Sequence, residues 1–141
     1  MNKDGAIIIV EDDPDDKDII TQILSDIGIS NETISFSNGE EAYSHLTKDV
    51  SEPFLIISDI NMPKMNGIEL KHKIQIESGT KFLSVPFILM STAEPTDNNI
   101  KKATKSVQEY FKKPNNLADY KKELEGIIGF WTSPSQPWMT G

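Results

Sequence analysis

The chain has 141 residues, a length that fits one domain whose core can bury most of its apolar side chains without staples. It has no cysteine, which excludes disulfides and thiolate metal sites and suits a cytoplasmic location. All 14 basic residues are lysine and the net charge is −8, which argues against a nucleic-acid partner, because phosphate backbones call for a basic surface. The first apolar run, Ala6 to Val10, is short and runs into acids. No stretch approaches the ~20 apolar residues of a membrane span, so no membrane association is expected.

In chain order, Ala6–Val10 reads as a first strand. Asp13 can cap the helix that follows, with Pro14 at its first position and Ile19, Ile20, Ile23, Leu24 and Ile27 on one face. Thr33–Phe36 is the second strand, and Ser37 or Asn38 starts a second helix around Ala42 and Leu46. Phe54–Ser58 is the third strand, and Asn66-Gly67 opens a third helix carrying Ile68, Leu70 and Ile74. Pro86–Met90 is the fourth strand, followed by a mostly polar helix over Asp97–Lys105, anchored by Ile100 and Ala103. Val107–Phe111 is the fifth strand. A last helix from Asn116 places Leu117, Tyr120, Leu124, Ile127, Ile128 and Trp131 at helical spacing. Residues 132–141 read as an irregular tail after a single domain over 1–131.

Nearly continuous Ile, Leu, Val and Phe runs are the pattern of strands buried on both faces. Five such strands alternating with helices imply an α/β domain with a doubly wound parallel sheet, whose working site lies at the carboxyl ends of the strands. Those ends carry chemistry. The first finishes in Glu11-Asp12-Asp13, the third in Ser58-Asp59 and then Asn61, the fourth in Ser91-Thr92-Ala93-Glu94, and the fifth is followed by Lys112-Lys113-Pro114. On one sheet edge they gather clustered carboxylates, a hydroxyl and an ammonium. Carboxylates so gathered repel unless a cation joins them, and oxygen ligands with room for water suit Mg2+. A carboxylate can also act as a nucleophile toward a phosphoryl group, with metal and lysine neutralising the transferred charge. Singly, each residue has a plainer role: acids at a helix N-terminus, an aspartate as a turn residue, Thr92 as a cap, and Lys112 and Lys113 as solvated charges. His45 and His72 sit on polar helical stretches without a second ligand. Tyr43 and Trp131 fit the rim of the core.

The blocks Ile8–Pro14, Ile56–Gly67, Pro86–Glu94 and Tyr110–Pro114, in that order, resemble the receiver domain of response regulators, single-domain chemotaxis regulators included, over about residues 5–131. The resemblance implies a flavodoxin-like five-stranded parallel sheet of order 2-1-3-4-5, and it implies roles. Asp59 would be the phosphoacceptor. Glu11 and Asp12 would serve Mg2+ with Asp59, although the triple acid also admits Asp13, and Asn61 would add its backbone carbonyl. Thr92 and Lys113 would hold phosphoryl oxygens, a cis Lys113–Pro114 bond would aim the lysine, and Tyr110 would be the aromatic switch. Asn61 and Glu94 would tune dephosphorylation. Asn115 departs from the family's usual apolar aromatic.

Such a domain would be no metabolic enzyme: it would catalyse its own phosphorylation and dephosphorylation. The partners implied are a sensor histidine kinase or histidine phosphotransfer protein and an output protein, met at the face of the fourth helix, fifth strand and fifth helix; a homodimer is also open to it. No effector segment is expected, and hence no DNA-binding or enzymatic output. A haloacid-dehalogenase-type phosphatase would need an aspartate where Asn61 stands. A flavodoxin-type cofactor binder would need hydroxyls where the first acids stand. A degenerate receiver that binds partners without phosphorylation is disfavoured by the complete residue set.

Overall fold

The computed structural model describes residues 4–48, 51–77, 82 and 84–132. Strand β1 is Ile7–Val10, helix α1 Pro14–Asp26, β2 Thr33–Phe36, α2 Gly39–Leu46, β3 Leu55–Asp59 and α3 Gly67–Glu77. Then follow β4 Phe87–Ser91, α4 Asn98–Ala103, a 3-10 turn Val107–Glu109, β5 Tyr110–Lys112 and α5 Leu117–Thr132. The strands form one parallel sheet of order β2-β1-β3-β4-β5, as the sequence implied.

Every residue of β1, β3 and β4 is buried, because helices cover both faces of the sheet. The strand period of two sends alternate side chains to opposite layers. Ile7, Ile9, Leu55, Ile57, Ile88 and Met90 pack with Ile20, Ile23 and Leu24 of α1 and Tyr120, Leu124 and Ile128 of α5. Ile8, Val10, Ile56, Phe87 and Leu89 pack with Ala42, Leu70, Ile74 and Ile100 of α2, α3 and α4.

The helix boundaries follow from local chemistry. Asp13 caps α1, its carboxylate accepting from the Asp15 N–H at 2.9 Å, and Pro14 follows at the first helical position. Gly28, at φ 85°, ends α1 in the left-handed conformation that glycine adopts without steric cost. Asn38, not Ser37, caps α2 through the Glu41 N–H. Asn66 and Glu69 form a reciprocal capping pair at the start of α3.

Three details depart from the sequence reading. The fifth strand begins at Tyr110 rather than Val107, and only Tyr110, Phe111 and Lys112 pair with β4. Glu109 closes the preceding turn instead: its N–H donates to Ser106 O and its carboxylate accepts from the Lys105 N–H. Leu117 is 64% exposed, because the first turn of α5 stands among exposed residues while Tyr120, Leu124, Ile128 and Trp131 form the buried face. No described peptide bond is cis, so Lys113–Pro114 is trans, the intrinsically favoured state of an X–Pro bond. Thr132 closes α5, and the rest of the expected tail lies outside the described residues. Among the described residues no helix is long and apolar enough to cross a membrane.

Candidate functional site

Register brings the strand ends level. Val10 pairs with Ser58, Asp59 with Met90, and Ser91 with Lys112. The residue after β1, Glu11, therefore stands beside Asp59, and Lys113 follows one step past β5. A parallel sheet sends all these ends to the same edge, so residues over a hundred positions apart meet there without any local sequence signal.

Oxygens of Glu11, Asp12 and Asp59 all lie within 4.8 Å of one another. Glu11 is fully buried and Asp59 nearly so, whereas Asp12 is exposed at the mouth. Three carboxylate oxygens at this spacing, one of them open to solvent, could hold a hard divalent cation that keeps part of its water shell. Asp13 is not in this group, because its carboxylate is spent on the cap of α1. The geometry thus groups Asp12, rather than Asp13, with Glu11 and Asp59.

Lys113 also reaches the cluster. Its Nζ lies 2.7 Å from Glu11 Oε1, 3.1 Å from Asp16 Oδ2 and 3.4 Å from Asp59 Oδ2. The trans Lys113–Pro114 bond thus already aims the ammonium at the acids. Burial pushes the Glu11 carboxyl up to about 8, with the Lys113 hydrogen bond working against the shift and the Asp59 charge adding to it. Burial alone would lower the Lys113 ammonium. Its hydrogen bond to Glu11 and the charge of Asp59 more than offset that, and its pKa lies above the ordinary lysine value.

The loop after β3 is tightly built. Asp59 Oδ1 accepts from the Asn61 N–H at 3.3 Å, and the Gly67 N–H donates to Ile60 O at 3.1 Å. A Cβ on Gly67 would stand 2.4 Å from Asp59 O, so only glycine lets α3 begin against the backbone of Asp59. Lys64, in the same loop, holds a positive φ of 69°.

On the β4 side, buried Ser91 accepts at Oγ from the Ala93 N–H and from Asn61 Nδ2, while Thr92 is exposed at the edge. Thr92, Asn61 and Ser91 line the upper end of a groove between α3 and α4. Tyr110 is buried, and its hydroxyl donates to Ala93 O at 2.5 Å and lies 3.2 Å from Ser91 O. Burial raises its phenol pKa, with the Ser91 hydrogen bond opposing. Glu94 is exposed and paired with Lys112, itself exposed at the end of β5. His45 packs its ring on Phe36, and His72 lines the α3–α4 groove. Lys73 lies over the Tyr43 ring, and Trp131 Nε1 donates to Gln108 O.

Reasoning from sequence missed the roles of Asp16 and Ser91 and the Lys71–Glu109 pair. Asp16 was legible only as one more acid in the first turn of a helix. Lys71 Nζ, almost fully buried, donates to Ala103 O at 2.7 Å and pairs with Glu109 at 3.3 Å, tying α3 to the end of α4 and to the turn before β5. No spacing in the sequence signals that pair.

With the acids and the lysine assembled on a 2-1-3-4-5 sheet, the chain matches the response regulator receiver domain over residues 7–125. It belongs to that family. Chemotaxis protein CheY-3 of Vibrio cholerae is 34% identical over 129 residues, covering 91% of this chain and 95% of its own. Response regulator Rcp1 of Synechocystis is 29% identical over 135 residues, covering 92% and 90%. The crystal structure of the Mn2+-bound form of Rcp1 aligns with a TM-score of 0.78 at 26% identity, over 94% of this chain and 97% of that one. The phosphorylated cyanobacterial phytochrome response regulator RcpA aligns with a TM-score of 0.77 at 27% identity, over 94% and 96%. The chain is thus a receiver domain of a two-component response regulator.

Proposed function

We propose that this receiver accepts a phosphoryl group on Asp59 from a sensor histidine kinase or a histidine phosphotransfer protein, with Mg2+ bound, and signals through a partner protein. The carrying observation is the Asp59 carboxylate at the end of β3, joined within 4.8 Å by Glu11 and Asp12 and reached by Lys113 at 3.4 Å. An Asp59 oxygen forms a bond to phosphorus as the phosphorus–nitrogen bond of the donor phosphohistidine breaks, and the imidazole departs. The product is an acyl phosphate on Asp59.

Glu11, Asp12, Asp59 and the Asn61 carbonyl would hold the cation. When bound, it neutralises charge on the transferring phosphoryl oxygens. Lys113 offers a flexible point charge to one such oxygen, and Thr92 can offer its hydroxyl to another. Tyr110, whose hydroxyl is tied to Ala93 O in the loop that carries Thr92, links that loop to β5. Its rearrangement would remodel the α4–β5–α5 face presented to the output partner. Asn61 and Glu94 flank the water path and set the lifetime of the acyl phosphate, which makes the domain its own phosphatase. The absence of cysteine supports a cytoplasmic setting, where such kinases deliver the phosphoryl group.

The deciding experiment is incubation with acetyl phosphate and Mg2+, followed by intact mass. One hydroxylamine-labile phosphoryl group is expected on the wild type and none on Asp59→Asn. Undiminished labelling of Asp59→Asn overturns the assignment. Lys113→Ala should retain some labelling while losing its effect on partner binding.

A further inference from the structure

One buried charge has no part in the mechanism above. Among the described residues, the buried side chains of acidic or basic type are Glu11, Asp59 and Lys71. The first two belong to the acid cluster; Lys71, on α3, does not. Taking an ammonium out of water is costly unless acceptors meet its N–H groups. Lys71 Nζ donates to Ala103 O at 2.7 Å and lies 3.3 Å from Glu109 Oε1 and 3.4 Å from Gln75 Oε1. Gln75 stands one turn along the same helix. The other two partners do not: Ala103 is the last residue of α4, and Glu109 stands in the turn that enters β5. The Ala103 carbonyl is one of the groups that a helix end leaves without an intrahelical donor, and the ammonium supplies one.

Glu109 extends the contact through the turn. Its Oε2 accepts from the Lys105 N–H at 3.0 Å, and its own N–H donates to Ser106 O at 3.1 Å. Residues 103–109 are thus gathered around one ion pair whose side chains are 6% and 14% exposed. The helix that supplies the ammonium is itself fixed at its start, where Gly67 packs against the Asp59 backbone. The opposite end of α4 is held differently. Beyond Ala93, whose carbonyl takes the Tyr110 hydroxyl, residues 94–99 are exposed at every position. Asp97 caps Asn99 and Ile100 N–H groups, a tie that moves with the helix, and the Glu94–Lys112 pair is open to water, which weakens it. One end of α4 is therefore tied to another helix by a buried charge, and the end beside Thr92 is tied mainly at the surface.

We propose that Lys71 is a positioning residue that pins the carboxyl end of α4 and the turn into β5 to α3, so that a change at Asp59 is answered at the amino end of α4. The face offered to an output partner then has a fixed part, residues 103–109, and a responding part, residues 92–99. This inference rests on the phosphoacceptor reading for its second half only. The pinning itself can be read in metal-free protein.

The first measurement is hydrogen exchange of the Lys105 and Glu109 amides by NMR in metal-free protein, with the Ile57 amide of β3 as the reference for global unfolding. Lys71→Met keeps the apolar stem and removes the charge. It should speed both amides by about 10- to 100-fold relative to Ile57, the loss of a hydrogen bond to a charged group. The Ile100 amide, capped by Asp97 from the other end, should change by less than about twofold. Lys102→Met, which removes an exposed lysine from α4 itself, should leave all three amides as they are. Glu109→Gln keeps an acceptor for the Lys105 N–H, and it should still speed Lys105 exchange by about threefold or more through the lost charge, which decides the matter if Lys71→Met does not fold. The second measurement is the amide shift change on saturation with beryllium trifluoride, a phosphoryl mimic, and Mg2+. In the wild type it should be about two- to threefold larger over residues 92–99 than over 103–109, and about equal over both in Lys71→Met. Unchanged Lys105 exchange in Lys71→Met and Glu109→Gln, or an equal change in Lys102→Met, overturns the proposal. So do wild-type shift changes as large over 103–109 as over 92–99. A wild type that never binds the mimic defeats the phosphoacceptor reading instead, and amide exchange still decides whether Lys71 pins α4.

Discussion

Gly67→Ala is the smallest change that should separate fold from chemistry. The added Cβ would stand 2.4 Å from Asp59 O, 3.0 Å from Asp59 C and 3.1 Å from the Ile60 Cα, all backbone atoms that cannot swing aside. Restoring ordinary contact requires α3 and the end of β3 to part by about 1 Å. Overpacking of this kind costs about 1–3 kcal/mol, a fall in Tm of about 3–10 °C for a domain of this size. The same displacement moves Asp59 against Glu11 and Lys113, and about 1 Å of misplacement at a reacting group can cost about 100-fold in rate. Gly126→Ala is the control: its Cβ meets nothing within 4 Å inside α5, and it should gain about 0.5–1 kcal/mol from helix propensity. Urea unfolding reports stability, and acetyl phosphate labelling followed over time reports the acceptor. A Gly67→Ala protein of wild-type stability and labelling rate would refute the reasoning, as would equal destabilisation by Gly126→Ala.

Other outcomes follow from the same geometry. Asp12→Ala should abolish the Mg2+-dependent rise in Tm with little loss of metal-free stability. Asp13→Ala should keep the Mg2+ response but lose about 0.5–2 kcal/mol with the α1 cap; a reversed pattern would place the metal ligand one residue further on. The folded-state pKa of Glu11 is raised from 4.5 to about 8, so between these values the folded chain holds a proton that the unfolded chain has lost. Metal-free stability should therefore fall as pH rises through that window, a component Glu11→Gln removes, as urea midpoints across pH would record. On the proposed roles of Asn61 and Glu94, both polar, the Asp59 phosphoryl group should be short-lived. Decay in Mg2+ after donor removal should slow in Asn61→Met and Glu94→Leu. A wild-type phosphoryl group lasting many hours and indifferent to both changes would contradict this.

Most of the architecture was legible because its signals are local. Apolar runs such as Ile7–Val10 and Phe87–Met90 mark strands buried on both faces, and Asp13-Pro14 marks a helix start through one side-chain contact and one fixed φ. The fifth strand was misjudged at its start because Glu109 is committed to Lys71 and Lys105, partners that only packing supplies. Leu117 has the right spacing for the buried face of α5 but falls in a turn that meets no core. Spacing gives an angle around a helix and says nothing about where along it the core begins.

The sequence by itself determined that acids, a hydroxyl and a lysine follow successive strands, and a parallel sheet can only bring such residues to one edge. Their order along the chain was enough to recognise a receiver. What only the tertiary structure decided is how those charges are shared. It withdrew Asp13 to a helix cap, gave Glu94 to Lys112, left the Tyr120 hydroxyl without a partner among the described residues, and placed Asp16 on the lysine that faces Asp59. Pairings of this kind depend on distances of a few ångströms between elements far apart in sequence, and on burial that strengthens one contact over another. Neither quantity is written in the identity or spacing of the residues themselves.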